Sequence, residues 1–381
     1  MRKGRRKLVV MLAAGLALAG ALAVVLAWAV TESHARARAP QVLASFREPL
    51  IGFAQDGGWT ASAQTPCGSL VVFRNLASGH TSTLNDGNAE CSGYNDFQGL
   101  ALGGDRATWS TYDYGNDFYT SMETAVAGSH AKTVIPRGVV TGGGDFNGET
   151  WWAGSGACGA GDEFQAQAAD EGIAVYSYVN VVETSKSPTN CSFIRVAGGV
   201  YSVVPNAKIQ GLPPAYALAV GDGLIADLPV HFNQTSEALN PRPNQPVYLY
   251  DTHTRRTRTV QASGDVRRVA VSRSVLAVFA YSPQRAKSGA GHVIERFDTR
   301  TGAPLGSTPV PADTNPLSLA ASGNEIVYST KRAIWRLDGV SGKNTLLATT
   351  AAGPIGLSVE GNRVYWAENL WRGRILMLKL P

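Results

Sequence analysis

Histidine is sparse in this chain, and no two of its six copies (His34, His80, His130, His231, His253 and His292) stand at metal-ligand spacing. There is no G-x-S-x-G elbow, no P-loop and no dinucleotide fingerprint, and Gly154-Ser155-Gly156 belongs to a glycine-rich loop rather than a nucleophile turn. The common signatures of serine hydrolases, nucleotide-binding enzymes and zinc proteins are therefore missing. Cysteine is scarce too: Cys67, Cys91, Cys158 and Cys191, with no C-x-x-C pair. Such cysteines suit an oxidising compartment and read as bridges rather than metal ligands. Of the three possible pairings, sequence order and repeat position favour Cys67 with Cys91 and Cys158 with Cys191.

A surplus of positive charge is also lacking once its location is considered. The net charge is +5, with 34 Lys and Arg against 29 Asp and Glu. Residues 1–40 contain Arg2, Lys3, Arg5, Arg6, Lys7, Arg36 and Arg38 but only Glu32, which leaves 27 basic and 28 acidic residues in the remainder. The body of the protein thus offers no general field for polyanions, and nucleic acid is not an expected partner. The basic run MRKGRRK is followed by 23 uncharged, mostly apolar residues, Leu8 to Val30. As a helix these would span roughly 35 Å, enough to cross a bilayer, and the preceding cations would hold the N-terminus inside. An uncleaved signal anchor over 1–30 is expected. The Ala-x-Ala spacings Ala27-Trp28-Ala29 and Ala35-Arg36-Ala37 keep open a cleaved signal peptide and a secreted product. Residues 31–40, TESHARARAP, read as a tether. Both outcomes place the rest of the chain, 41–381, outside the cytoplasm.

What the sequence does hold is a repeat. LAASGNEIVYS from Leu319 is a short apolar strand, a Gly323-Asn324 turn and a second strand. The same template reads LALGGDRATWS from Leu100, LSVEGNRVYWA from Leu357, LAVGDGLIAD from Leu218, VAVSRSVLAVF from Val269, AQAADEGIAVYS from Ala166 and, with one extra residue, IGFAQDGGWTA from Ile51. Seven hairpins, each too small to bury its apolar face alone, predict one repeated architecture: an all-β, seven-bladed β-propeller over 41–381, preceded by the transmembrane or signal helix.

A second signal marks the turn between third and fourth strands. Asn75-Leu76-Ala77-Ser78-Gly79 is repeated as Asp298-Thr299-Arg300-Thr301-Gly302 and Asp338-Gly339-Val340-Ser341-Gly342, and varied as Asp251-Thr252-His253-Thr254-Arg255. The leading side chain is expected to accept from backbone N–H groups ahead of it, so Asp251, Asp298 and Asp338 read as structural. The last repeat, from Pro354, runs out after three strands, whereas QVLASF (41–46) has strand character and no nearby partner. Pairing of 41–48 with 374–380 would complete the seventh blade and remove both open edges. The third blade is ambiguous: 136–163 is either its first hairpin with a long insertion, or a connection ahead of the Ala166 template. Blades four, five and six begin near Tyr216, Val266 and Pro316.

These hairpins and D-x-x-[ST]-G turns resemble bacterial extracytoplasmic propellers of the TolB-like and YVTN-like kind, over about residues 41–381. The resemblance covers architecture alone. The S-P-D-G start typical of TolB-type repeats is missing, Gln55-Asp56-Gly57-Gly58 being the nearest match. No catalytic residue can be carried over.

In a propeller the loops joining strands two and three, and those joining successive blades, emerge on one face. The long loops expected here, 112–118, 145–163, 229–246, 282–292 and 368–374, all fall there, which makes this the expected binding face. Tyr112, Tyr114, Phe118, Trp151, Trp152 and Trp371 are its candidate ligand-binding aromatics. Asp96, Asp162, Asp265 and Asp313 precede or open inner strands and could ring the channel mouth, where their oxygens would suit Ca²⁺. Turn chemistry explains those acids as well, and no cofactor is required. The resulting expectation is a non-enzymatic propeller, held at the membrane by its N-terminal helix or secreted, that binds a protein, peptide or cell-envelope ligand. The alternative is a metal-dependent hydrolase or lyase acting at the channel mouth.

Overall fold

The computed structural model describes residues 39–64, 70–85, 95–113, 119–135, 161–183, 194–233, 238–240, 243–282 and 291–380. Gln41–Pro381 form one compact unit. Within it lie seven four-stranded antiparallel sheets, the blades of a propeller. The inner strands, in order, are Gly52–Asp56, Asn95–Gly103, Gly161–Asp170, Ala215–Gly221, Asp265–Val271, Thr314–Ser322 and Pro354–Glu360. The seventh blade is closed by Gln41–Ser45, which pairs with Gly373–Lys379 in the register Gln41↔Met377, Val42↔Leu376, Ala44↔Ile375 and Ser45↔Arg374. The expected clasp is therefore present. The ambiguity at blade three is also resolved: Gly161–Asp170 is its inner strand, so residues 136–160 fall between the second and third blades.

Each hairpin builds the same inter-blade core. Tyr176, Trp109, Tyr328 and Trp366 occupy one template position on second strands, and all four are among the largest fully buried side chains. Each packs toward the preceding blade, Trp109 among Ala61, Val71 and Phe73, and Tyr328 among Ala277, Phe279 and Ile294. Truncating such an aromatic to Ala would cost on the order of 3–5 kcal/mol. Three blades depart from the pattern: the same position holds Ser62 in blade one, Val278 in blade five and, in blade four, Asp227. This carboxyl is 0 % exposed and neither oxygen has a hydrogen-bond partner. Burial holds its pKa well above the ordinary carboxylate range.

The turns between third and fourth strands behave as their residues require. Asn75 Oδ1 accepts from the backbone N–H groups of Ala77 and Ser78 at 3.0 and 2.9 Å, and Asp338 Oδ1 from Val340 and Ser341 at 3.1 and 2.6 Å. Asp298 and Asp251 do the same within their turns. The fifth residue is left-handed in all four, at φ 71° in Gly79, 76° in Gly302, 72° in Gly342 and 56° in Arg255. Glycine takes this conformation freely, whereas Arg255 carries the strain of a Cβ there.

Candidate functional site at the channel and its two mouths

Antiparallel blades send their connections alternately to two faces. One face carries the tight turns that end each inner strand. These turns are linked blade to blade by side chains at the inner-strand ends. Asp56 Oδ2 of blade one accepts from Gly104 N at 2.5 Å in blade two and from Glu171 N at 2.7 Å in blade three. Blade three continues the link, Asp170 Oδ2 accepting from Asp222 N at 3.2 Å, and Asp222 Oδ2 accepts in turn from Arg273 N at 2.7 Å. Ser272 Oγ donates to Gly323 O at 2.6 Å, and Ser322 Oγ accepts from Gly361 N at 3.3 Å. Gln55 Nε2 donates to Glu360 Oε2 at 2.5 Å, which returns the circuit to blade one. Blade two contributes no side chain because its position is Gly103, where a Cβ would come within 3.1 Å of Ile173 O. Burial, followed by the neighbouring Asp56 carboxylate and a hydrogen bond to it, pushes Asp170 up to about 8. Asp170 is thus protonated at neutral pH and can share that proton with Asp56.

The seven inner strands surround a central channel of about 650 Å³. These strands bring small side chains to it, Gly52, Ala54, Ala101, Ala168, Ala219, Ala270 and Ala320 together with Leu100 and Leu357, and the surface it exposes is more polar than apolar. Among the described lining residues only Asp170 and Arg268 carry an acid or a guanidinium, and they lie at opposite ends. Asp170 ends its strand at the turn face, whereas Arg268 lies near the start of Asp265–Val271, toward the loop face. Tyr216, Asn315 and Ser318 line the same half as Arg268. Irregularities in pairing interrupt the inner strands here: Ala215/Ala217 around Tyr216, Val266/Arg268 around Arg267 and Asn315/Leu319 around Ser318. The same break recurs at Gln98/Ala101, Phe164/Gln167 and Ile355/Leu357, so it belongs to the blade scaffold. The Arg268 Nε is buried without an acceptor, and burial lowers its pKa.

At the loop-face mouth, Trp371 is 73 % exposed on the tip between the last two strands, with the Arg372 guanidinium 4.2 Å from the ring centre. Leu370 beside it is half exposed. This tip is shorter than the sequence suggested. Glu368 and Asn369 belong to the preceding strand and Gly373 opens the next, so Leu370–Arg372 alone forms the loop, closed by Leu370 N donating to Arg372 O at 3.3 Å. Asn369 is held in place by bonds to Leu50 N and O, both 2.8 Å. Tyr112 lies in the strand Arg106–Asp113 rather than in a loop. The 229–246 stretch contains its own small hairpin, His231–Asn233 with Ala238–Asn240.

Tyr114, Phe118, Trp151 and Trp152 lie outside the described residues, as do Cys67, Cys91, Cys158 and Cys191 and the leader. Among the described residues no helix is long and apolar enough to cross a membrane. Asp96 and Asp162 fall within inner strands, and Asp313 is exposed in the turn before Thr314. Asp265 is engaged by Arg267, with Nη2 2.6 Å from its Oδ2. No three His, Cys, Asp or Glu side chains among the described residues are grouped to hold a metal ion. The residues that sequence reasoning passed over are Arg268 and the turn-face circuit.

The fold has many counterparts among solved structures. The β-propeller domain of the trilobed protease from Pyrococcus furiosus aligns with TM-score 0.51 at 9 % identity, over 86 % of this chain and 94 % of that one. Uncomplexed Pyrococcus horikoshii acylaminoacyl peptidase aligns with TM-score 0.51 at 9 % identity, over 87 % of this chain but 50 % of the peptidase. BamB from Moraxella catarrhalis aligns with TM-score 0.43 at 14 % identity, over 87 % and 86 %. Such identities speak for the fold alone, a β-propeller. No family model and no curated protein matches the sequence.

Proposed function

We propose that the chain is a non-enzymatic binding propeller on the outer side of a cytoplasmic membrane, held there by a helix over 8–30 or released by cleavage of the leader. Its loop face takes a protein, peptide or cell-envelope ligand. The observation that carries this reading is Trp371, the most exposed of the large apolar side chains on the described surface, which is presented on a three-residue tip with Arg372 laid over it. An aromatic so placed adds nothing to the core and offers a large rigid contact, the character of a binding hot spot. Tyr112, Tyr114, Phe118, Trp151 and Trp152 extend the same surface in this reading, and bridges Cys67–Cys91 and Cys158–Cys191 would stiffen it. A metal-dependent hydrolase or lyase built on Asp96, Asp162, Asp265 and Asp313 is the weaker reading, because Asp265 already has Arg267 as its counter-ion.

The test is a crosslinking pull-down from membranes, repeated with Trp371→Ala and Tyr114→Ala. Capture of the identified partner should fall about tenfold or more, the scale of a hot-spot residue. Stability should change by no more than about 0.5 kcal/mol, as expected for exposed positions. Unfolding by these substitutions, with capture abolished instead by changes on the turn face, would invert the assignment.

A further inference from the structure

We infer that the loop-face half of the channel is a binding site for a small organic monocarboxylate, gripped by the Arg268 guanidinium. This rests on the loop face being the binding side and adds the chemistry of what enters there.

The first support is comparative within the chain. Aligned on the residue at which each inner strand meets its turn (Asp56, Gly103, Asp170, Gly221, Ser272, Ser322 and Glu360), the position four residues earlier is Gly52, Gly99, Ala166, Ala217, Ser318 and Gly356 in six blades, whereas blade five has Arg268. Six small residues and one arginine at equivalent positions mean that the blade does not need bulk there. The arginine is a departure from the scaffold.

The second support is that this cation is unmatched. Arg268 has no ion pair among the described residues, and its Nε lies buried without an acceptor. The adjacent Arg267 takes Asp265. Asp170, the acid on the channel wall, is at the far end and is neutral at pH 7. A buried N–H donor without an acceptor is costly, and a guanidinium presents its donors as a planar fork matching a carboxylate. Because Nε itself is sealed from solvent, a carboxylate in the channel would sit end-on across the two terminal nitrogens of the guanidinium. Tyr216, Asn315 and Ser318 line the same half and can hydrogen-bond the ligand's polar end.

The remaining wall sets the rest of the ligand. About 650 Å³ lies within the range of small-molecule sites. Leu100, Ile355 and Leu357, which are only partly buried, offer an apolar contact for a short aliphatic or aromatic body. The expected occupant therefore has one carboxylate and a compact apolar remainder.

Calorimetric titration of the full chain in lipid nanodiscs, with butyrate, hexanoate and phenylacetate against their primary amides and inorganic phosphate, tests the assignment. Carboxylates should bind, the amides at least about tenfold more weakly, and Arg268→Gln should abolish the difference. Arg268→Lys, which keeps the charge but loses the fork, should retain part of the affinity. Equal binding of acids and amides, undiminished binding by Arg268→Gln, or binding of phosphate alone would overturn the proposal. Should Arg268→Gln fail to fold, loss of the acid-over-amide preference in Arg268→Lys decides the question. Trp371→Ala should leave this titration unchanged, so failure of the carboxylate site and failure of the macromolecular loop face are read separately.

Discussion

The two faces of this propeller solve opposite problems. On the turn face the polar side chains that end the inner strands are all partnered, each reaching a backbone or side-chain group of a following blade until the circuit closes at Gln55 and Glu360. On the loop face the conspicuous groups are unmatched: a tryptophan left in solvent and, just inside the channel, a guanidinium without a counter-ion. Saturated polar groups contribute rigidity and leave nothing for a ligand, whereas unsatisfied groups hold interaction energy that only a ligand can complete. The difference separates a face that holds the ring from the face to which the proposed binding is assigned.

The sharpest way to break this comparison is Asp56→Ala. It strips the acceptor from the N–H groups of Gly104 and Glu171 at once, and should cost about 2–4 kcal/mol in chemical denaturation. Partner capture by molecules that remain folded should be unchanged. An unaltered denaturation midpoint would mean that the turn-face circuit holds nothing together.

Asp227→Leu should move stability the other way. Its carboxyl has no partner to lose, so replacing it with an apolar side chain should raise stability by roughly 1–3 kcal/mol. Opposite signs at Asp56 and Asp227, two buried aspartates of one fold, would establish that partnering rather than burial decides the outcome.

The effect that is smallest over a single pH unit is a slope with pH. Asp170 binds its proton more tightly in the fold, at about 8, than at its ordinary 3.8. Between those values the native state holds more protons than the unfolded chain, so stability falls as pH rises from about 4 to about 8 and levels off above. Asp227, raised by burial, adds in the same direction. The slope from Asp170 is at most about 1.4 kcal/mol per pH unit. Asp170→Asn, which imitates the protonated form, should flatten it in urea titrations at pH 5, 7 and 9. A wild-type protein that gains stability toward pH 8 would contradict the proton shared at this corner.

How far the sequence reveals these features depends on whether a residue repeats. The hairpins and the Asn75, Asp298 and Asp338 turns recur, and glycine marks their left-handed positions, so blade number and clasp could be read directly. Blade three resisted because 136–163 and the Ala166 template both competed for its first hairpin, and nothing in the residues alone says that the inner strand is Gly161–Asp170. The turn-face circuit uses Asp56, Asp170, Ser272, Ser322 and Glu360 at one position, a set sharing polarity but no motif. Its partners are mostly backbone groups of other blades, invisible without coordinates. Arg268 and Asp227 were visible in principle, since aligned templates put small residues beside the first and aromatics beside the second. Attention to what repeats passed over what differs. The loop at 368–374 was overestimated because Glu368 and Asn369 look like loop residues, yet they extend a strand and tie it to Leu50.

The clasp sets an order of events during synthesis. Gln41–Ser45 is made before every other strand of the ring, but its partner Gly373–Lys379 is made after all of them. Blades one to six can each hydrogen-bond internally as they appear, while the first strand waits with its edge unpaired for nearly the whole chain. Contacts of such separation in sequence form slowly, and a waiting strand edge invites pairing with the wrong chain. Only five residues long, half of them polar or small, the strand is a weak template for that error. Its brevity delays the ring's completion little and protects the nascent protein until the last strand arrives.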